Sequence, residues 1–592
     1  MTTHQLLSRL FAHVSALRRK QFILLFFLMI FASFMEVFSI GMVLPFLGAL
    51  TAPELIFENP LAQPFIQYLN LTHPSQILLP MTIVFCLAVI TSGLIRIALL
   101  WSNVRLSFAT GLDMSIDVYK RTLYQPYSVH INRNSSDVIN AVTRKTEGVI
   151  FYAIMPILTI ASGTIMLFSI LLLLLAVDVS VAFITISGFG LIYAIIIKMT
   201  RNRMLRNSEI QAQNSTQVIK ALQEGLGGIK DILIDNTQEL YCDIYRSADI
   251  PLRRSQGSTQ IIAQIPRFGI EVLGVIFIAV LAYILTLKTS GFNEAIPILG
   301  VLALGTQRLL PVLQQGYVAW TSFQAGRISL QDALELLDQK LPDLSSRTTN
   351  PTEKIIFNNK IELNQISFRY SQEDSWVLKD LSLSISKGDT VGFIGTTGCG
   401  KSTLINIVMG LFNPENGTFK VDNQLITTAN NHIWQRHIAH VPQSIYLSDS
   451  TIAENIAFGV PNDEIDYKRV RQSALQAQIS TTIEALPMQY QTNIGERGVR
   501  LSGGQRQRIG IARALYKKAD VIIFDEATSS LDDKTEQEIM HSINNLSMDI
   551  TIFIIAHRLS TLKKCTKIVK MNDGNIQWSG SYLDLINVKK ED

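Results

Sequence analysis

LSGGQRQRIGIARALYKKADVIIFDEATSSLD, residues 501–532, is the stretch that decides the fold. It opens on a polar turn with paired glycines, Ser502-Gly503-Gly504-Gln505, and enters a basic helical segment. An apolar β-type run, Val521 to Phe524, follows and ends in two adjacent carboxylates, Asp525 and Glu526. Unpaired buried charge is costly, so two acids at the end of a buried strand need a counter-charge or a reaction to serve. A divalent metal and an attacking water supply both.

The complementary half lies upstream, at Thr390-Val-Gly-Phe-Ile-Gly-Thr-Thr-Gly-Cys-Gly-Lys-Ser-Thr403. It reads as a strand, a GxxxxGKS loop and the start of a helix. Gly395, Gly398 and Gly400 let backbone N–H groups turn inward around phosphates. Lys401 would reach the β- and γ-phosphates of ATP, and the Ser402 hydroxyl would ligate Mg²⁺. The helix N-terminus adds partial positive charge. Asp525 then fits as a Mg²⁺ partner, and Glu526 is left to polarise the attacking water. A later strand, Thr551 to Ala556, ends at His557. That position faces the ligand crevice of an open α/β sheet. Tyr370 closes the alternating run Ile361–Tyr370, either as an ordinary strand-end tyrosine or as a ring that stacks on a base.

The rest of the chain has a different composition. Of 592 residues, 48% are hydrophobic and only 17% charged, a balance that points to membrane spans. Six apolar segments, roughly 22–48, 78–100, 148–176, 178–200, 266–287 and 293–316, are long enough to cross a bilayer. The first is longer than a signal-peptide core and reads as a retained span. Lys and Arg crowd alternate connections. Arg105, Lys120, Arg121, Arg133, Arg144 and Lys145 follow the second span, whereas 51–77 has neither residue type. This bias puts both termini in the cytoplasm. The two cytoplasmic connections look helical, with breaks at Pro126–Ser136 and Gly225–Glu239 that suit coupling elements or plain solvated hairpins. The outer stretch Pro60–Leu69 has near-helical apolar spacing, as a surface helix or a packed loop. The expected fold class is an all-α six-helix transmembrane domain followed by an α/β P-loop nucleotide-binding domain. The expected boundaries are 1–340, a polar linker 341–354, and 355–592. The four cysteines show no CxxC spacing, so neither disulfides nor a metal site is expected. A net charge of +4 gives no reason to expect nucleic acid.

Ionisable residues within the spans, away from their ends, include Glu36, Arg96, Arg267, Glu271 and Arg308. Each costs about 2.5–3.5 kcal/mol at mid-bilayer on insertion scales. From the outer end of its span, Arg96 lies ~27 Å down, Arg267 ~30 Å and Arg308 ~22 Å. Three arginines at similar depth suggest one anion-binding belt. Snorkelling to headgroups is the rival for Arg96 and Arg267, and Arg267 and Glu271 also have the spacing to pair along one helix face.

Together these residues resemble the ABC transporter family over nearly the whole chain. Gly395, Thr396, Thr397, Gly398, Cys399, Gly400, Lys401, Ser402 and Thr403 look like its Walker A loop, and VIIFDE (521–526) like Walker B with its catalytic glutamate. LSGGQ (501–505) matches the family signature. By this resemblance Tyr370 stacks on adenine, and Gln443 contacts Mg²⁺ and senses the membrane half. Glu496 lies in the stretch facing the coupling helices, Asp532 closes the D-loop, and His557 is the switch histidine. Catalysis then falls to Glu526 and His557. Each ATP is held between the Walker A loop of one domain and Ser502, Gly503, Gly504 and Gln505 of another. One of each per chain implies a homodimeric half-transporter. The membrane half looks most like bacterial lipid-linked oligosaccharide flippases, carried by MEVFSIGMVLPFL (35–47), YSVHINRNSSD (127–137), GGIKDI (227–232) and the outer segment near 60–70. In those proteins cavity arginines bind the lipid diphosphate, and Arg96, Arg267 and Arg308 match by segment. The expectation is an ATP hydrolase of the bacterial inner membrane that moves a polyprenyl-diphosphate-linked oligosaccharide to the outer leaflet. Export of peptides, drugs or other lipids is the alternative. A non-transporting ATPase acting on nucleic acid is disfavoured by six spans, and an ATP-gated channel stays open.

Overall fold

The computed structural model describes residues 2–60, 62–177, 179–288, 292–341, 355–526, 536–539, 541, 549–556 and 561–591. The chain forms two compact units. One comprises Met1–Gln125 and Arg133–Pro342, the other Pro126–Asn132 and Asp343–Asp592.

The described residues of the first unit are helical or in turns. Its long helices are α1 (Ala16–Gly41), α2 (Leu78–Leu123), α3 (Met155–Val177), α4 (Val179–Gly227), α5 (Gln238–Lys288) and α6 (Phe292–Ala325), followed by α7 (Arg327–Leu337). Among the described residues, Ala16–Thr51, Pro74–Leu123 and Ser135–Ala176 are long and apolar enough to cross a membrane. Helix α1 shows why such segments pack. Leu25, Met29, Ala32, Ser33, Glu36, Ser39 and Ile40 recur at helical spacing and are buried. Phe26, Phe27, Phe31 and Phe34 on the other side are exposed, as lipid-facing residues are in a protein whose solvent is hydrocarbon. Helices α2, α4 and α5 have 46, 49 and 51 residues. At 1.5 Å per residue each runs about 70 Å or more, beyond the ~30 Å hydrocarbon core. The stretch Pro60–Leu69 contains a short helix, Gln63–Tyr68. Its Ile66 is buried against Ala49 and Ile77, while Phe65 and Tyr68 are exposed. At the end of α7, Asp338 receives His13 Nε2 at 2.7 Å and the Arg9 guanidinium. Burial alone would raise the Asp338 carboxyl, but these two hydrogen bonds hold it below its ordinary range.

The second unit contains two sheets. Strands β1 (Lys360–Phe368), β2 (Leu378–Ser386), β4 (Asn416–Val421) and β5 (Gln424–Leu425) form an antiparallel sheet in the order β2-β1-β4-β5. Strands β3 (Thr390–Gly395), β6 (Ile438–Val441), β7 (Val521–Asp525), β8 (Thr551–Ile555), β9 (Lys567–Asn572) and β10 (Asn575–Gly580) form the order β10-β9-β3-β8-β7-β6. All its pairings are parallel except β10 with β9. Continuous apolar runs suit strands covered on both faces. The Val521–Phe524 run is buried throughout β7, and β8 is buried along its length. Phe393 and Phe553 stack across β3 and β8 with centroids 6.0 Å apart. Each such ring contributes about 1.5–3 kcal/mol by burial.

Candidate functional site

Parallel pairing brings the C-terminal ends of several strands to one edge. Phe393 pairs with Ile555, Asp525 with Ile555, and Val441 with Phe524. The loops leaving β3, β6 and β7 therefore share the crevice end of the sheet, where open α/β folds bind ligands. They carry the phosphate loop, Gln443, and the Asp525–Glu526 pair.

Gly395 and Gly400 have φ of 151° and 100°, and only a residue without a side chain fits there. A Cβ on Gly395 would lie 2.3 Å from the Met571 carbonyl oxygen, and one on Gly400 2.8 Å from Leu378 Cδ2. The loop thus closes backbone-first and leads into α8 (Lys401–Val408). Lys401 is buried, and its Nζ donates to the Gly395 and Thr396 carbonyls at 2.9 Å each. These are neutral partners for a full charge, and the cradle suits a polyphosphate. Ser402, the next residue, is exposed on the first turn. Tyr370 holds its hydroxyl 3.0 Å from Thr403 Oγ1, which ties the half-exposed ring to the loop helix. Phe412 meets Tyr370 edge-on at 5.6 Å and stacks on Phe368 at 5.0 Å. Tyr127, from the Pro126–Asn132 segment of this unit, lies 5.6 Å from Phe412.

Glu526 sits just past β7 with φ of 50°. A left-handed non-glycine residue at such a position is a strain that the fold must hold in place. Gln443 Nε2 donates to Glu526 Oε2 at 2.7 Å, so the two side chains after β6 and β7 meet directly. Ser402, Gln443 and Asp525 offer the hydroxyl, carboxamide and carboxylate oxygens that Mg²⁺ prefers. Ser502 caps α9 (Gly503–Lys517) reciprocally. The Gln505 N–H donates to Ser502 Oγ at 3.2 Å, and the Ser502 N–H donates to Gln505 Oε1 at 2.8 Å. Ser502 and Gly503 are exposed, so the positive end of this helix faces outward from the chain. Glu496 and Arg497 precede it in a short turn in which Arg497 has φ of 53°. Asp532 and His557 lie outside the described residues.

In the first unit, Arg96 and Arg308 converge on one carboxylate. Glu36 is 2% exposed and accepts Ser92 Oγ at 2.6 Å on Oε2. Its Oε1 lies 3.4 Å from Arg96 Nη1 and 3.2 Å from Arg308 Nε. The two arginine side chains are 46% and 42% exposed, so each keeps surface open beyond Glu36. Three helices, α1, α2 and α6, thus meet at one cluster with two positive charges and one negative. Arg96 also lines a cavity of about 440 Å³ with Ser33, Asn103, Ser162 and Gln315. Arg267 is not in this cluster. It lines a separate cavity of about 210 Å³ with Glu271, Tyr193, Gln307 and Gln314. Sequence reasoning recognised Glu36 as an ionisable residue within a span but gave it no role. The usable signal was that a carboxylate in a span needs a cationic partner.

Residues 20–294 match the family model described as ABC transporter transmembrane region, and residues 378–529 match the one described as ABC transporter. The chain belongs to the ABC transporter family. It is a multi-pass membrane protein with an ATPase domain, and it couples ATP hydrolysis to transport. The transporter is 27% identical over 480 residues to an ATP-dependent lipid A-core flippase of Cupriavidus metallidurans, covering 80% of this chain and 79% of that one. A like-named protein of Saccharophagus degradans is 38% identical over 265 residues, 45% of this chain and 44% of its own. The ABC transporter B family member 1 of Arabidopsis thaliana is 37% identical over 268 residues, 45% of this chain and 20% of its own. The chain therefore spans less than half the length of these last two relatives. A solved bacterial Atm1-family ABC exporter with ATP bound shares the fold, at a TM-score of 0.76 and 22% identity over 94% of this chain and 96% of that one.

Proposed function

We propose that this transporter flips a polyprenyl-diphosphate-linked oligosaccharide from the cytoplasmic to the outer leaflet of a bacterial inner membrane. The observation that carries this reading is the Glu36–Arg96–Arg308 cluster among apolar helices. Guanidiniums stay charged in such surroundings and offer paired donors to phosphate oxygens. Because Glu36 cancels only one of the two charges, the cluster keeps a net attraction for an anionic headgroup. The polyprenyl tail can stay in lipid while the headgroup crosses.

The motor in this proposal is a homodimer with ATPase domains in the cytoplasm. Lys401 and the phosphate loop hold the ATP phosphates, and Tyr370 carries the adenine. Ser402, Gln443 and Asp525 would hold Mg²⁺, which supplies charge neutralisation at the transferring phosphoryl group. Glu526 orients the attacking water, His557 is assigned to the γ-phosphate, and Asp532 and the Ser502–Gln505 end of α9, exposed at Ser502 and Gly503, are assigned to the partner chain's site. Two contacts support coupling within the second unit. Gln443 reads the state of Glu526 directly. Tyr127 of the Pro126–Asn132 segment touches the Phe412–Tyr370 aromatic group.

A second reading is favoured by the relatives named lipid A-core flippase. Their named lipid also carries phosphate, so the arginine pair suits either headgroup. Reconstituted transporter separates them. ATP-dependent appearance of a lipid-linked oligosaccharide in the opposite leaflet of proteoliposomes supports the first. Transfer of lipid A alone replaces it with the second.

A further inference from the structure

The cavity lined by Tyr193, Arg267, Glu271, Gln307 and Gln314 has no role in the cycle described above. It lies among α4, α5 and α6 and holds about 210 Å³. That is room for about seven waters at ~30 Å³ each, or for one sugar ring. Tyr193 is 8% exposed, and its hydroxyl has no hydrogen-bond partner among the described residues. A sealed hydroxyl left unpaired is a standing cost, and a ligand in the adjoining cavity would remove it.

We propose that this cavity binds a sugar ring, the one joined to the diphosphate of the lipid substrate, with Tyr193, Glu271 and Gln307 reading its hydroxyl groups. The proposal rests on the diphosphate-lipid reading above. The lining chemistry argues for a sugar over a second phosphate. Arg267 and Glu271 are four residues apart on α5 and so share a face, and their charges cancel. Glu271 would repel a phosphate. A carboxylate, a guanidinium, two carboxamides and a phenol offer donors and acceptors together, as a polyhydroxyl ring demands. Leu310 and Pro311 add an apolar patch for its C–H face. Gln307 and Arg308 are consecutive on α6, so the cavity and the Glu36–Arg96–Arg308 cluster share a depth along that helix while facing different sides of it.

The test uses full-length transporter in nanodiscs with three lipid probes. They are undecaprenyl diphosphate, undecaprenyl diphosphate bearing one N-acetylhexosamine, and lipid A. The readout is the lipid concentration that half-maximally stimulates ATP hydrolysis. The sugar-bearing diphosphate lipid is expected to act at about five- to tenfold lower concentration than the bare one, the worth of one or two hydrogen bonds. Tyr193→Phe and Glu271→Gln should each erase most of that preference while keeping the bare-lipid value within about twofold. Tyr193→Phe removes an oxygen with no partner among the described residues, so the unliganded unfolding temperature should not fall. A preference that survives both substitutions overturns the sugar site, as does an equal loss for both diphosphate lipids. If lipid A alone stimulates, the diphosphate reading fails separately. The sugar site, defined by that diphosphate, then falls with it, whereas loss of the sugar preference with the diphosphate response intact overturns the sugar site alone. No response to any probe overturns both.

Discussion

Replacing Arg96 and Arg308 together with alanine should destabilise the protein far more than replacing Glu36 with glutamine, although the double change removes two charges and the single change one. The reason is burial. Glu36 is 2% exposed, whereas the two arginine side chains are nearly half exposed. At separations of 3.2 and 3.4 Å, an effective dielectric of about 20 gives about 5 kcal/mol of attraction for each pair. Solvent access to the arginines reduces that substantially. Removing both arginines leaves a buried carboxylate with Ser92 as its remaining described partner, at a cost of about 3–5 kcal/mol. Glu36→Gln removes the buried charge itself. The carboxamide oxygen can still accept from Ser92, and the arginines can turn to water, so about 1 kcal/mol is expected. The triple variant should then recover about 2–3 kcal/mol relative to the arginine double variant, a coupling typical of residues in one network. Inactivation half-lives in nanodiscs at one elevated temperature report the order. Wild type and Glu36→Gln should last longest, the triple variant should come next, and the double variant should fail first. If the arginine changes cost the same with and without Glu36, the cluster is not held by that carboxylate and the reasoning is refuted.

Other expected outcomes concern the second unit and the ends of the long helices. Glu526→Gln should reduce steady-state ATP hydrolysis by at least about 10²-fold while ATP still binds, measured by phosphate release and nucleotide retention. Ser502→Ala should cost about 1 kcal/mol through loss of the α9 cap. In mixed dimers it should impair the site opposite to the one impaired by Lys401→Ala. Dimers pairing the two variants should therefore keep one intact site, whereas doubly mutated chains paired with wild-type chains should keep none. Thiol reagents should modify exposed Cys242 well before Cys399, which is 3% exposed, and should spare Cys565, whose thiol burial pushes up to about 12. The Asp338 carboxyl is held below its ordinary value of 3.8. Its stabilising contribution is present above that value and disappears as pH falls through the lower folded-state value. Wild type should therefore lose stability more steeply than Asp338→Asn below about pH 4, read by unfolding temperature across a pH series.

The strand–loop–helix geometry around Gly395–Lys401 was legible because its chemistry is written in the backbone. Gly395, Gly400 and Lys401 must occur at that spacing for a loop to close on phosphates, and any sequence that does so shows it. The six apolar segments were legible because a bilayer imposes length and composition. Side-chain partners within the membrane half were not. Depth along a helix follows from counting residues, so Arg96, Arg267 and Arg308 fell at one level. Rotation about the helix axis and the choice of neighbours do not follow from counting. They put Arg96 and Arg308 on Glu36 and Arg267 beside Tyr193 and Gln307. Likewise, nothing local announced that Gln443 would meet Glu526, because that contact depends on β6 and β7 being adjacent in the sheet.

The central claim is that the Arg96–Arg308 pair carries the diphosphate across the membrane. Its most direct measurement is ATP-driven transfer of lipid-linked oligosaccharide in proteoliposomes, comparing Glu36→Gln with the triple variant Glu36→Gln, Arg96→Ala, Arg308→Ala. Both lack the buried charge, so the comparison isolates the arginines from the folding penalty. Loss of two charge-assisted phosphate contacts predicts a transfer rate at least about tenfold lower in the triple variant. Equal transfer rates in the two variants would contradict the account.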